Sequence, residues 1–121
     1  IKNIAVNNYV RFTGSTTLSF DYSNSLPEYI LMDIGSTPAT LTLSGYNSNF
    51  SGQANLEGIC FFIIKNGSAT LTIARNATTD LINGVASDYS WTGTHAYAYR
   101  KCLMTVNTTN GRLEWLLMAS D

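Results

Sequence analysis

Nucleophilic catalysis in this chain would depend on a single imidazole. His95 is the only histidine in the 121 residues, so any Ser-His-Asp or Cys-His mechanism must use it as the base. The chain contains no Gly-x-Ser-x-Gly sequence, the turn that exposes the nucleophilic serine of α/β-hydrolases. Cys102 follows His95 at an odd separation, which places the two side chains on opposite faces of one continuous strand. We therefore expect neither mechanism.

Carboxylates are the other side chains with catalytic potential, because a glycosidase needs two of them about 5 to 9 Å apart. Most candidates stand at expected strand ends or turns, where carboxylates are usually solvated. They are Asp21, Glu28, Asp33, Glu57, Asp80, Asp88 and Glu114. The chain also has no Cys-x-x-Cys sequence, no second histidine and no acidic calcium-binding loop. We predict that the protein is not an enzyme and binds no metal or cofactor.

Aromatic residues are the best candidates for a binding surface. Tyrosine and tryptophan combine an apolar ring with a polar group, and both are enriched at recognition surfaces. One group falls between residues 89 and 99, and a second lies in a polar stretch, residues 44–55, that is typical of a surface loop. The ligand-binding residues that we predict are Trp91, His95, Tyr97, Tyr99, Tyr46 and Phe50. The alternative for the first group is packing in the core or between subunits.

Low charge limits the classes of partner. Charged residues make up 12% of the chain and the formal net charge is −1, whereas ordinary domains have about 25% charged residues. Nucleic-acid binding needs a basic patch, so we do not expect it. No apolar stretch approaches the roughly 18 residues that insertion into a membrane requires. Such uncharged surfaces, rich in Ser, Thr and Asn, are common in secreted and virion proteins.

One stretch organises the predicted fold. Residues 59–64 are an unbroken apolar run, which is typical of a strand covered on both faces. Asn66-Gly67 follows and suits a two-residue hairpin turn, and residues 69–73 then alternate between apolar and polar. A second sheet can cover one face of the run. In so short a chain the other cover can be a sister subunit, and we expect Phe61, Ile63 and their neighbours to need it.

The sequence predicts about nine to eleven short strands separated by Gly, Asn and Pro signals. They include residues 29–34, 39–43, 95–106 and 112–118, and residues 107–111 are expected to form a second hairpin turn between the last two. No segment of substantial length has a helical period. This pattern predicts an all-β domain over residues 1–121, an antiparallel β-sandwich or jelly roll. We also expect the chain to be a fragment of a longer or processed polypeptide. Cys60 and Cys102 both stand in apolar strand candidates and are expected to be buried free thiols, with one disulfide as the alternative.

The order of turns and strands in residues 58–118 resembles a known family. Gly58 opens the apolar run, Lys65-Asn66-Gly67-Ser68 leads into Ala-Thr-Leu-Thr-Ile, and Ile82-Asn83-Gly84 follows. The last strand enters through Asn110-Gly111 and carries Trp115. This arrangement is similar to the C-terminal β-structured heads of bacteriophage tail fibres and tailspikes. The resemblance implies a homotrimer at the tip of an extracellular virion fibre that attaches to a host-surface receptor, for which a saccharide is one candidate.

Three alternatives stay open at this stage. A capsid-associated head fibre or decoration protein would use the same fold for display or stability. A carbohydrate-binding module of a secreted enzyme or adhesin would use the aromatic residues for sugar binding. A monomeric sandwich would cover its second apolar face with its own loops.

Overall fold

The computed structural model describes residues 9–20, 27–45, 60–76, 78, 80–93, 97–106 and 113–119. These residues form ten strands and no helix. The strands are β1 (Tyr9–Phe12), β2 (Thr16–Phe20), β3 (Tyr29–Gly35), β4 (Ala39–Gly45), β5 (Cys60–Gly67), β6 (Leu71–Arg75), β7 (Leu81–Ile82), β8 (Tyr89–Trp91), β9 (Ala98–Val106) and β10 (Leu113–Ala119). The prediction of an all-β domain without substantial helix is confirmed.

The strands lie in two sheets packed together, which confirms the predicted sandwich. Sheet A has six strands in the order β1-β3-β5-β9-β10-β7. Sheet B has four strands in the order β2-β4-β6-β8. Consecutive strands from β1 to β8 alternate between the two sheets, and β9 and β10 then both lie in sheet A.

The first six strands form three stacked coils. Each coil has a strand in sheet A, a three-residue corner and a strand in sheet B, and the corners are residues 13–15, 36–38 and 68–70. β1, β3 and β5 pair in parallel, and so do β2, β4 and β6. The predicted antiparallel, jelly-roll-like pairing is therefore wrong for this half. Each corner carries the chain across to the other sheet, so the next strand of either sheet runs in the same direction as the last.

Antiparallel pairing is found at the other side of the domain. β9 lies between β5 and β10 and is antiparallel to both, and β8 is antiparallel to β6. The short β7 pairs in parallel with β10. The two strands of the hairpin predicted near the end of the chain are thus confirmed as neighbours, although its turn, residues 107–112, lies outside the described residues.

The hairpin predicted at Asn66-Gly67 is wrong. Both residues belong to the end of β5, and the chain turns afterwards, at residues 68–70, to enter sheet B. Gly67 has a φ of +134° and lies against the backbone of Gly35, the last residue of β3. The Ala69 amide donates to the Gly35 carbonyl at 3.1 Å. The glycine is needed for close stacking of two corners rather than for a reversal of the chain.

A two-residue hairpin turn is present elsewhere, at Asn83-Gly84. These residues have φ values of +53° and +78°, the positive values that such a turn demands. The Ile82 amide donates to the Val85 carbonyl at 2.9 Å, and the Val85 amide donates back at 3.0 Å. The Asn83 side-chain oxygen also accepts from the Leu117 amide at 2.8 Å, so this turn holds β7 against β10.

The core lies between the two sheets and takes inward side chains from both. Its members with 1% exposure or less include Ile30, Met32, Leu41, Leu43, Phe61, Ile63, Leu71, Ile73, Trp91, Cys102, Met104, Leu113 and Trp115. Both cysteines are free, as predicted, but only Cys102 is buried. Cys60 is exposed because it is one residue away from the inward position of Phe61, and successive strand residues point to opposite faces.

The stacked corners give a testable prediction for stability. A Cβ at Gly67 would overlap the backbone nitrogen and carbonyl oxygen of Gly35. Residues with a side chain also rarely adopt the φ of +134° that Gly67 has. We expect Gly67→Ala to lower the free energy of unfolding by about 2 to 4 kcal/mol, measured by urea denaturation. Gly14→Ala is the control, because nothing lies within 4 Å of its Cβ position, and it should change stability by less than about 0.5 kcal/mol. Equal losses would contradict this account.

Candidate functional site

The most distinctive surface is the side of sheet A that points away from sheet B, which we call the outer face. β5 shows how it arises. Phe61 and Ile63 point into the core and are fully buried, whereas Phe62 and Ile64 point outward and are half-buried. The expectation that Phe61 and Ile63 need cover from a sister copy is therefore wrong, because one chain encloses them. The apolar side chains that lack cover are those at the outward positions between them, Phe62 and Ile64.

The strand register arranges the outer face in rows that run across the sheet. One row is Tyr9, Tyr29, Phe62, Lys101 and Met118. The next row is Arg11, Leu31, Ile64 and Tyr99. On the other side of the first row lies a row of Cys60, Leu103 and Leu116. Since neighbouring strands are about 4.8 Å apart, the face extends about 19 Å from β1 to β10. Its centre is apolar apart from Lys101, whose ammonium lies 5.9 Å from the centroid of the Phe62 ring.

Three aromatic rings pack together on this face. The Tyr29 and Phe62 rings are stacked, with centroids 5.4 Å apart and planes 12° apart. The Phe62 and Tyr99 rings meet edge to face, with centroids 5.7 Å apart. One face of the Phe62 ring is therefore occupied by Tyr29. Tyr29 and Tyr99 are 38% and 43% exposed, so the group offers ring edges and hydroxyl groups as well as apolar surface.

A polar border runs along one side of this apolar area. Arg11 on β1 approaches Asp33 on β3, with 3.7 Å between Nε and Oδ2. The Asn66 side-chain amide donates to Asp33 Oδ1 at 2.9 Å. The Asp33 carboxylate thus connects three neighbouring strands. Charged and hydrogen-bonding side chains border an apolar centre here, as at the rim of many protein interfaces.

The predicted ligand-binding residues do not form one group. Trp91 is 1% exposed and packs in the core, so its ring is not available for stacking on a ligand. Its position on the inward side of β8 explains this. Tyr99 lies on the outer face, and Tyr97 is 61% exposed just before β9, with a φ of +57°. Tyr46, Phe50 and His95 lie outside the described residues.

Two cations occupy the inner side of sheet A near the corner at residues 68–70. Lys65 is fully buried, and its Nζ donates to the carbonyl of Gly67 at 2.9 Å and to that of Gly93. Gly93 follows β8, so Lys65 connects the two sheets. Burial, and after it the charge of Arg100, lowers the pKa of Lys65. Lys65 follows Phe61 and Ile63 in the two-residue period of β5, and this position indicated that it is buried. A lysine is nevertheless seldom expected in a core.

Arg100 is buried beside this lysine and is held by aromatic groups. Its guanidinium lies 4.3 Å from the centroid of the Trp91 ring. Its Nε donates to the Tyr89 hydroxyl at 3.2 Å, and a terminal nitrogen donates to the Tyr99 carbonyl at 3.0 Å. Cation–π contact of this kind stabilises a desolvated guanidinium. The arrangement joins the inner side of β9 to β8, which explains why Trp91 and Tyr89 face inward rather than toward a ligand.

Other kinds of site find no support in the described part of the chain. Its residues hold no cluster of three or more His, Cys, Asp or Glu side chains suited to a metal ion. Among them no helix is long and apolar enough to cross a membrane. Comparison with protein-family models, with curated proteins and with solved structures gives no match for this chain.

The outer face was only partly foreseen. The unbroken apolar run at residues 59–64 and the mostly apolar run at residues 29–34 predict central strands, but the predicted site residues do not include Tyr29 or Phe62. The signal was present in the two-residue period of a strand. Once Phe61 and Ile63 point inward, Phe62 and Ile64 must point outward.

The buried lysine predicts an alkaline pH dependence. Because the folded-state pKa of Lys65 lies below its ordinary value, the unfolded chain binds more protons between that pKa and about 10.4, and stability rises with pH there. Lys65→Met removes this contribution, so the difference in unfolding free energy between wild type and variant should grow in favour of wild type as the pH rises. Lys101→Met is the control, since Lys101 is exposed. A constant difference for Lys65→Met from neutral pH to pH of about 10 would contradict the prediction.

Proposed function

We propose that this chain is the head domain of a virion fibre, of the phage type, which assembles as a homotrimer and attaches the virion to a host-cell surface without catalysis. The observation that carries the proposal is the apolar outer face of sheet A. The resemblance of residues 58–118 to fibre heads supplies the biological setting. An extracellular location at the fibre tip follows from the same proposal.

The first step is the cost of leaving the outer face in water. Phe62 and Ile64 are successive outward residues of β5, and Leu103 and Leu116 are opposite each other on β9 and β10. All four are partly exposed. Contiguous apolar surface of this kind usually marks a contact site rather than a solvated surface. At about 25 cal/mol per Å² of apolar area removed from water, covering these side chains would strongly favour association.

The second step concerns what covers the face. A sugar ring stacks on an accessible aromatic face, but Phe62 already has Tyr29 against one face of its ring. Ile64, Leu103 and Leu116 add partly exposed aliphatic side chains to the same face. Both features favour a protein partner, and a copy of the same chain offers a matching apolar face. Closed cyclic symmetry around a shared axis then leaves no apolar face exposed.

The third step concerns the receptor. In such an assembly the outer face is no longer available, so a receptor must bind elsewhere. Tyr97 is the most exposed of the large apolar side chains in the described residues, at 61%. It lies before β9 rather than on the outer face, and its positive φ is the kind of backbone strain that often accompanies binding sites. We therefore assign Tyr97 to the receptor surface, with a saccharide as the candidate ligand.

Assembly is tested with charge on the outer face. We expect wild-type protein to elute as a trimer in size-exclusion chromatography with light scattering. Phe62→Lys and Met118→Lys should give monomers, because each places a second ammonium directly beside Lys101 in the same row of the face, where the two like charges repel. Cys60 should react with a thiol reagent faster in these variants than in the wild type, since it lies on the same face.

Two controls make this test decisive. Ser90→Lys places a lysine on an exposed position of β8 in sheet B and should stay trimeric. Circular dichroism and a thermal melt show whether each variant is folded, and Met118→Lys starts from a side chain that is already 43% exposed. A folded wild-type monomer at micromolar concentration would overturn the trimer and favour a monomeric binding module.

Receptor binding is tested at Tyr97. We expect Tyr97→Ala to reduce binding on an array of bacterial and animal glycans by about tenfold or more, the loss of about 1.4 kcal/mol that is typical of an aromatic hot spot. Tyr29→Ala is the matched control on the outer face, where binding should be unchanged if the trimer is intact. Binding lost in Tyr29→Ala but retained in Tyr97→Ala would move the receptor site to the outer face.

A further inference from the structure

The two ends of the coil stack are built differently. At one end sheet A finishes with β7, which has two residues, and sheet B finishes with β8, which has three. Such short strands offer little backbone for pairing, which is one way in which proteins protect sheet edges. At the other end the outermost strands are β1 with four residues and β2 with five. Neither β1 nor β2 contains a proline.

β1 is paired on one side only within the described residues. It lies in parallel beside β3 over all four of its residues, and its other edge is the margin of sheet A in that part of the chain. Its inward side chains, Val10 and Phe12, pack against the core but stay partly exposed. The edge therefore offers backbone hydrogen-bonding groups together with an incompletely covered apolar end of the core.

The positive charge of Arg11 determines which partner strand the β1 edge would favour. The Arg11 side chain points outward from β1 and is 55% exposed. Its approach to Asp33 is 3.7 Å, longer than a close hydrogen-bonded ion pair, and Asp33 Oδ1 also accepts from Asn66. A residue on a strand placed directly beside β1 would stand about 4.5 to 5.5 Å from Arg11, where opposite charges attract and like charges repel.

We propose that the open edge of β1 binds an extended segment of another polypeptide, with apolar residues facing Val10 and Phe12 and an acidic residue beside Arg11. Such a partner extends sheet A by one strand and closes the open end of the core. The charge favours an acidic strand over a second copy of this chain, because β1 of a second copy would bring another guanidinium. This inference does not require trimer formation. The β1 edge borders the outer face, to which Arg11 belongs, but strand pairing uses the backbone of β1 and not that face.

The test uses a capped peptide of sequence Val-Thr-Val-Glu-Val-Thr-Val, titrated into ¹⁵N-labelled full chain and followed by NMR. We expect chemical-shift changes in β1 and β3 and none in β7 or β8. The same peptide with lysine in place of glutamate should bind about three- to tenfold more weakly, which corresponds to about 0.7 to 1.4 kcal/mol. In Arg11→Glu the order of the two peptides should reverse. A peptide with proline at the centre should not bind, because proline removes a ladder hydrogen bond.

Several results would overturn the proposal. One is the absence of shifts in β1 with the glutamate peptide, and another is equal affinity for the glutamate and lysine peptides in both proteins. Hydrogen exchange of the β1 amides without peptide gives a further check. Protection that does not change on dilution would mean that the chain itself fills the edge, and protection lost on dilution would mean that a second copy does. Performing the titration in Met118→Lys as well separates a failure here from a failure of the trimer.

Discussion

The three-residue corners are the constraint on which the rest of the structure depends. Each corner moves the chain from sheet A to sheet B, so no two successive strands among the first six can pair with each other. The strands must pair with those of the next coil, in parallel. The contact between Gly67 and Gly35 shows how closely these corners stack, and the hydrogen bond from Ala69 to the Gly35 carbonyl fixes their register. The outer face exists because this stacking places β5 in the interior of sheet A.

β5 has neighbours on both sides and a different role on each face. Its inward residues complete the core with Trp115, whose ring meets Phe61 edge to face at 6.5 Å between centroids. Its outward residues form the centre of the outer face. Lys65 continues the inward series and ends it with a polar contact to sheet B. A single strand thus joins the core, the connection between the sheets and the proposed contact between copies.

The sequence predicted the elements better than their connections. Alternation and apolar runs identified the strands, and the bounds of β3, β4 and β10 differ from the predicted ones by one or two residues. The pairing was wrong because Asn66-Gly67 has the composition of a hairpin turn, and only the contact with Gly35 shows its other role. A recurring sign was present: Gly-Ser stands at or beside each corner, at residues 14, 35 and 67. The unequal spacing of these pairs hid the repeat.

The site was harder to predict than the fold. Trp91 and Tyr99 are close in sequence and similar in chemistry. Trp91 points from sheet B into the core, however, and Tyr99 lies on the outer face of sheet A. Their separation depends on which sheet each strand joins, and that is a property of the topology. Arg100, whose guanidinium packs on the inward-facing Trp91 ring, likewise lies on another strand, β9. Only the apolar character of both faces of β5, which the unbroken apolar run at residues 59–64 indicates, could be deduced directly from the sequence.

The unequal links between coils have a consequence for variation in this protein. Eight residues, 21–28, join β2 to β3, and fourteen, 46–59, join β4 to β5, yet both links serve the same parallel register. The parallel register therefore accommodates connections of different length between coils, whereas all three corners have three residues. Differences in chain length between related sequences are expected between coils and not at the corners, where the backbone of one coil lies against that of the next.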